Sequence, residues 1–150
     1  LVVALLVAGC GANLSPQELS DQLTQIVQDT VGATSLSGLE HTERRDLKGC
    51  AAPLKPGESF ESLVLYFPAV GLDQSRLVMR EIYEYWQSAA PEWSREGFDV
   101  ADDGIDTKGT PAVYLHIDGF SLSASFFPDA DVAEFVFGGS APCADYPDPG

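Results

Sequence analysis

Three cysteines, two histidines and a run of aspartates are where this chain could do chemistry. The run is Asp99-Val-Ala-Asp102-Asp103-Gly104-Ile-Asp106, which has the look of a calcium loop. An EF-hand needs oxygen ligands at its first, third and fifth positions, glycine at the sixth and glutamate at the twelfth. With Gly104 at the sixth, Ala101 falls on the third and Thr110 on the twelfth, so two ligands are missing. An acidic solvated loop is expected instead, with Asp102, Asp103 and Asp106 as weak cation candidates and no metal or other cofactor required. A zinc site is not expected, because Cys50 and Cys143 lack the close spacing of zinc ligands and His41 and His116 stand alone. Nucleophilic catalysis finds no Gly-x-Ser-x-Gly elbow and no Ser-x-x-Lys. His116 and Ser121 flank a two-residue turn beside Asp118, which leaves a cell-envelope hydrolase using carboxylates or His116 as the alternative to a binding role.

The first cysteine has a distinct setting. Nine small or apolar residues, Leu1 to Gly9, run directly into Cys10 and are followed by a polar, helix-starting segment. A buried strand of Val, Leu and Ala reads similarly, but the run's position and its small last residues favour a signal peptide. Val7-Ala8-Gly9-Cys10 resembles the bacterial lipobox, departing from its commoner form only in Val7 for Leu. The resemblance implies a diacylglycerol on the Cys10 thiol, cleavage before Cys10, and a home on the extracytoplasmic face of a bacterial membrane. No Lys or Arg precedes Arg44 and the chain begins with Leu1, as expected of a precursor lacking its start.

Charge agrees with attachment by lipid alone. Eight Lys plus Arg stand against 23 Asp plus Glu, for a net charge of −15. That balance argues against a nucleic-acid partner, which needs a basic face. It also opposes an anionic bilayer within a Debye length of about 10 Å. Stable anchoring by acylation takes two or more chains, at about 0.8 kcal/mol per buried methylene.

The elements follow from pattern. Ser15-Pro16-Gln17-Glu18 is a capping box with proline at the first helical position, and Leu14 and Leu19 are placed as a hydrophobic staple. Leu19, Leu23, Ile26, Val27 and Val31 make a helical stripe, so a helix is expected over 16–31 with Gly32 as its stop. The polar stretch Leu39 to Gly49 reads as an edge strand blunted by charge. Phe60 to Phe67 reads as a central strand, with Leu63, Leu65 and Phe67 on one face and Phe60, Val64 and Tyr66 on the other. A second helix is expected over 74–89, capped by Asp73 and ended by Pro91. Glu96 to Ala101 should be a short strand and Asp102 to Thr110 a loop.

Asp118-Gly119 between Ala112–Ile117 and Phe120–Phe126 is a type I′ hairpin signal. It sets Ile117 opposite Phe120, Leu115 opposite Leu122 and Val113 opposite Ala124, with Tyr114 and His116 on the other face against serines. A last strand, Val132 to Phe137, should lead through Gly138-Gly139 to Cys143, with a disordered tail from Asp145.

The order α-β-β-α-β-β-β-β implies an α+β domain, an antiparallel sheet of about 5–6 strands packed on two helices. The expected division is signal remnant 1–9, lipidated cysteine and tether 10–14, one domain 15–143 and tail 144–150. Together with Cys10, the stretches Leu47-Lys48-Gly49-Cys50 and Gly139-Ser-Ala-Pro-Cys143 make the chain similar to small two-cysteine actinobacterial lipoproteins such as the mycobacterial lipoprotein A family. With Cys10 lipidated, Cys50 and Cys143 are left to form one intramolecular disulfide in an oxidising compartment.

Function is then read as a binding or accessory module, a monomer, for a protein partner or an apolar or envelope ligand. If both helices cover one sheet face, Tyr66, Val64, Tyr114 and His116 belong to an open surface on the other. If they cover both faces, the apolar members of that set are core.

Overall fold

The computed structural model describes residues 14–51, 57–94, 98–102, 112–127 and 134–146. The first element is helix α1, Pro16–Gly32. Its start is the capping box: Ser15 Oγ accepts from the Glu18 N–H at 3.2 Å, and Glu18 Oε1 accepts from the Ser15 N–H at 3.2 Å. Proline at the first helical position has no N–H to satisfy, and the box pairs the N–H groups of Ser15 and Glu18. Leu19 is buried and Leu14 packs against the core, completing the staple.

Among the described residues, seven strands follow around one further helix. They are β1 (Thr42–Gly49), β2 (Glu58–Phe67), β3 (Phe98–Asp102), β4 (Ala112–Ile117), β5 (Phe120–Phe127), β6 (Glu134–Ser140) and β7 (Ala144–Asp145); helix α2, Leu72–Trp93, lies between β2 and β3. The sheet order is β1-β2-β6-β5-β4-β3, antiparallel throughout, with β7 added to β2. The α+β architecture and its element order are those expected from the sequence.

Both helices pack on the same side of this sheet. Helix α1 lies over β2 and β6, and α2 over β3, β4 and β5. Leu63, Leu65, Phe67, Phe135, Phe137, Leu122 and Leu115 point toward them and share one core with Leu23, Ile26, Val78, Ile82 and Trp86. The Trp86 ring meets Phe137, centroids 6.0 Å apart. Its buried Nε1–H donates to Thr30 Oγ1 at 2.9 Å, and that hydroxyl donates to the Ile26 carbonyl at 2.8 Å. The two helices are thus joined by a fully satisfied polar link inside an apolar core.

Four expectations need correction. Helix α2 begins at Leu72 with Gly71 as N-cap and no side-chain cap, so Asp73 sits inside its first turn. Pro91 does not end it; the helix runs to Trp93, and the Ser94 N–H bonds the Ala90 carbonyl at 3.0 Å. A proline in the last turn removes only one backbone donor, and the bond from Ser94 to Ala90 closes the turn that contains it. Strand β6 runs through Gly138-Gly139 to Ser140 instead of ending at Phe137; residues 132–133 lie outside the described residues. The expected tail holds β7, where Asp145 pairs with Glu58 and Ala144 with Ser59. The remaining tail, 147–150, lies outside the described residues, as do 1–13, 95–97 and 103–111.

The glycine pair explains the longer β6. A Cβ added at Gly138 would run into the Leu63 carbonyl and Val64 Cα of β2, whereas one at Gly139 would meet the Ser121 carbonyl and Leu122 Cα of β5. The two positions press in opposite directions against the flanking strands, and only residues without Cβ let β2, β6 and β5 approach so closely. The hairpin turn behaves as expected, with Asp118 at φ 48° and Gly119 at φ 87°, and its register matches the expected pairs.

Edge strand β1 is exposed along almost its whole length. It is fastened by Arg45, whose Nη1 donates to Glu61 Oε1 at 2.7 Å and Nη2 to Thr24 Oγ1 at 2.9 Å. Glu61 also accepts from Ser20 Oγ at 3.0 Å, so one arginine links β1, β2 and α1. A second fastening is the disulfide between Cys50 and Cys143, with Cα atoms 6.3 Å apart, joining the end of β1 to the segment after β6.

Candidate binding face

The side of the sheet turned away from the helices is built by strand alternation, and its rows can be read from the register. One row is Tyr66, Val136, Ser125 and Ala112; the next is Val64, Gly138, Ser123 and Tyr114; the third is Ser62, Ser140, Ser121 and His116. Tyr66, Val64, Tyr114 and His116, singled out from the sequence, therefore lie on one surface. Of the two arrangements left open by the sequence, the first is found: both helices cover one face. Phe135 and Phe137 turn inward and are fully buried.

Chemically the middle of this face is neutral. From Phe60 to Tyr66 on β2, Val136 to Ser140 on β6, Ser121 to Ser125 on β5 and Ala112 to His116 on β4, its outward positions carry no Asp, Glu, Lys or Arg. Charge returns at its margins: β1 contributes Arg44 and Asp46, ion-paired at 2.8 Å, Glu134 begins β6 opposite Phe127, and the register sets Asp99 of β3 opposite His116.

Relief comes from side-chain size. Val64 and Tyr66 stand on β2, Val136 beside them on β6, and Tyr114 and His116 on β4, while Gly138, Ser140, Ser121, Ser123 and Ser125 keep the middle low. Three strand spacings of about 4.8 Å separate β2 from β4, which makes a shallow trough roughly 14 Å wide.

The histidine has one partner. His116 Nδ1 and Ser121 Oγ share a hydrogen bond at 3.1 Å, on the exposed surface. Asp118 is occupied elsewhere, since its Oδ1 accepts from Ser94 Oγ at 3.3 Å. The register sets Asp99 opposite His116, so Asp99, His116 and Ser121 form one row across β3, β4 and β5. Sequence reasoning paired the histidine and serine and missed the aspartate, because β3's register to β4 carries no turn signal.

Metal chemistry finds no support in the described part: no group of three or more His, Cys, Asp or Glu side chains gathers there. Asp103 and Asp106 lie outside the described residues, and Asp102 ends β3.

At one end of the molecule, hydrogen bonds fix where the chain enters. Ser20 meets Glu61, which pairs with Leu47, and Thr24 meets Arg45, which pairs with Leu63. Moving back along α1 from Thr24 to Ser20 and on to Ser15 thus follows β1 toward Gly49 and Cys50. The α1 N-terminus, the disulfide and β7 share this end. Here Tyr146 has a buried hydroxyl without a hydrogen-bond partner among the described residues, and burial together with the nearby Glu61 carboxylate raises its pKa above the usual 10.0.

No family model, no curated protein and no solved structure matches the chain. No helix among the described residues is long and apolar enough to cross a membrane.

Proposed function

We propose that the protein is a lipid-anchored extracytoplasmic binding module, similar to the two-cysteine actinobacterial lipoproteins, that presents its helix-free sheet face to a ligand or partner. The observation that carries the binding role is the helix-free face, whose middle positions on β2, β6, β5 and β4 carry no charged residue in an otherwise strongly acidic molecule. The lipobox-like Val7-Ala8-Gly9-Cys10 supports the anchor. The Cys50–Cys143 disulfide supports an oxidising compartment. Cys10 is five residues from Ser15, a reach under about 20 Å even when fully extended. A lipid there would hold the disulfide end toward the bilayer and leave the sheet face open from the side.

Two experiments test this reading. Cys10→Ser should move the protein from the detergent phase to the soluble or uncleaved fraction; unchanged partitioning and mobility would remove the anchor. A partner-binding face should be lost when Tyr66 becomes Asp while the folded circular dichroism spectrum persists; retained binding would exclude this face.

The His116–Ser121 hydrogen bond favours a second reading, a cell-envelope hydrolase in which His116 activates Ser121. A fluorophosphonate should then label Ser121, with loss of labelling in His116→Ala. Absence of labelling leaves binding alone.

A further inference from the structure

We propose that β1 is a dimerisation edge, which pairs antiparallel with β1 of a second copy of this chain in the register centred on Leu47. The proposal concerns the rim of the sheet and is independent of what the open face binds. Three observations carry it.

The first is the backbone. β1 stands at one end of the sheet order, so among the described residues no strand adjoins its outer side. The Cys50 N–H donates to the Glu58 carbonyl at 3.2 Å, which continues the β1–β2 register. Along an antiparallel ladder, residues alternate between bonding toward the neighbour and bonding away from it. Arg44, Asp46 and Lys48 therefore bond β2, as Cys50 does. Glu43, Arg45, Leu47 and Gly49 turn their N–H and C=O groups outward, as a template for another strand.

The second is the side chains. Arg45 reaches Thr24 of α1, so Glu43, Arg45 and Leu47 lie on the helix side and Arg44, Asp46 and Lys48 on the open side. Leu47 is 57% exposed, an apolar group left in water on the outermost strand. The chain is strongly acidic, yet β1 is net positive, with Arg44, Arg45 and Lys48 against Glu43 and Asp46. Each copy therefore brings a positive edge to an acidic body.

The third is register. A two-fold axis through a continuous sheet keeps each residue on its own face, so the pairing must centre on a residue. Centring on Leu47 brings the two exposed leucines together and sets Asp46 opposite Lys48 on both sides of the axis. Arg45 then faces Gly49, and outward-turned backbone groups meet outward-turned ones. Every other centre from Glu43 to Lys48 sets a charged residue against its own copy. Charges that blunt this edge toward other strands thus admit one self-pairing. In that register Cys50 lies about 10 Å along the strand from the axis. The two disulfide ends sit near the middle of the pair, which keeps two lipid-anchored copies compatible with one bilayer.

The test uses the full chain carrying Cys10→Ser, which removes any dependence on the anchor, in sedimentation velocity and amide exchange. The expected result is a concentration-dependent dimer. As it forms, exchange should slow at residues 45, 47 and 49 and change little at 44, 46 and 48. Lys48→Asp and Asp46→Lys should each weaken the dimer about tenfold, because two like-charge contacts replace two ion pairs. The double variant, Asp46→Lys with Lys48→Asp, should restore it. Leu47→Pro removes an outward N–H without breaking a bond to β2 and should also give a monomer, whereas Leu77→Asp on α2 should leave the dimer intact. Circular dichroism checks that each variant is folded, and the charge variants serve if the proline variant is not. A monomer at every concentration up to millimolar overturns the proposal. A dimer that persists through both single reversals, or one that the double variant fails to restore, overturns it as well, since another surface or register would then hold the copies together.

Discussion

Single side chains decide several things in this molecule. Thr30 is buried, accepts the Trp86 indole N–H and returns its own proton to the Ile26 carbonyl. Thr30→Val keeps the shape and orphans the indole, so a loss of about 1–3 kcal/mol is expected in chemical denaturation. Arg45 bridges two strands and a helix through Glu61 and Thr24. Its removal should raise amide exchange in β1 more than elsewhere, because that strand has almost no burial of its own. Gly138→Ala would set a methyl group against the β2 backbone and should cost about 1–3 kcal/mol, read as a lowered denaturation midpoint. The sequence shows the glycine pair but not what it faces. That β6 lies between β2 and β5 is a long-range fact, so the pair reads from sequence as a lead out of the sheet. Asp118-Gly119 is the opposite case. Its turn geometry is local, and it determines the register of β4 and β5.

At the scale of elements, alternation is what reaches furthest. The two faces of β2 are legible in Leu63, Leu65 and Phe67 against Val64 and Tyr66, and the hairpin serines are legible against Tyr114 and His116. The missing piece is which strands adjoin, and so the joining of these two half-faces through Val136, Gly138 and Ser140. Helix ends were less legible, because Pro91 is tolerated in a last turn and Gly71 caps without a side chain. The disulfide is the strongest single constraint on an element. It closes a separation of 93 residues, worth roughly 4–5 kcal/mol if chain entropy dominates. Reduction should lower Tm and increase exchange first in residues 39–50; uniform loosening would assign β1's order to Arg45 instead. Free-thiol counting on the unfolded, unreduced domain should find neither Cys50 nor Cys143.

The whole molecule is defined by its acidity and by the asymmetry of its two sheet faces. A net charge of −15 makes self-repulsion general, so added salt in the range where the Debye length shrinks toward about 8 Å should raise Tm. Alkaline behaviour follows from two tyrosines. Burial, with Asp29 and Glu92, raises the pKa of Tyr85, and burial with Glu61 raises that of Tyr146. Each keeps its proton in the folded state after the unfolded chain has begun to lose it. Their contribution is whole below the unfolded value, near 10, and disappears as pH climbs through the folded values. Thermal stability should fall above pH about 10, and Tyr85→Phe with Tyr146→Phe should flatten that fall.

The face asymmetry bears the functional account, and crosslinking in intact cells tests it most directly. A diazirine amino acid is placed at Ser123, in the middle of the trough, and in a second strain at Leu77, which is 65% exposed on α2. The account predicts an adduct from position 123 and none from position 77. No adduct at 123, or equal adducts at both, would contradict the claim that the helix-free face is where this protein binds.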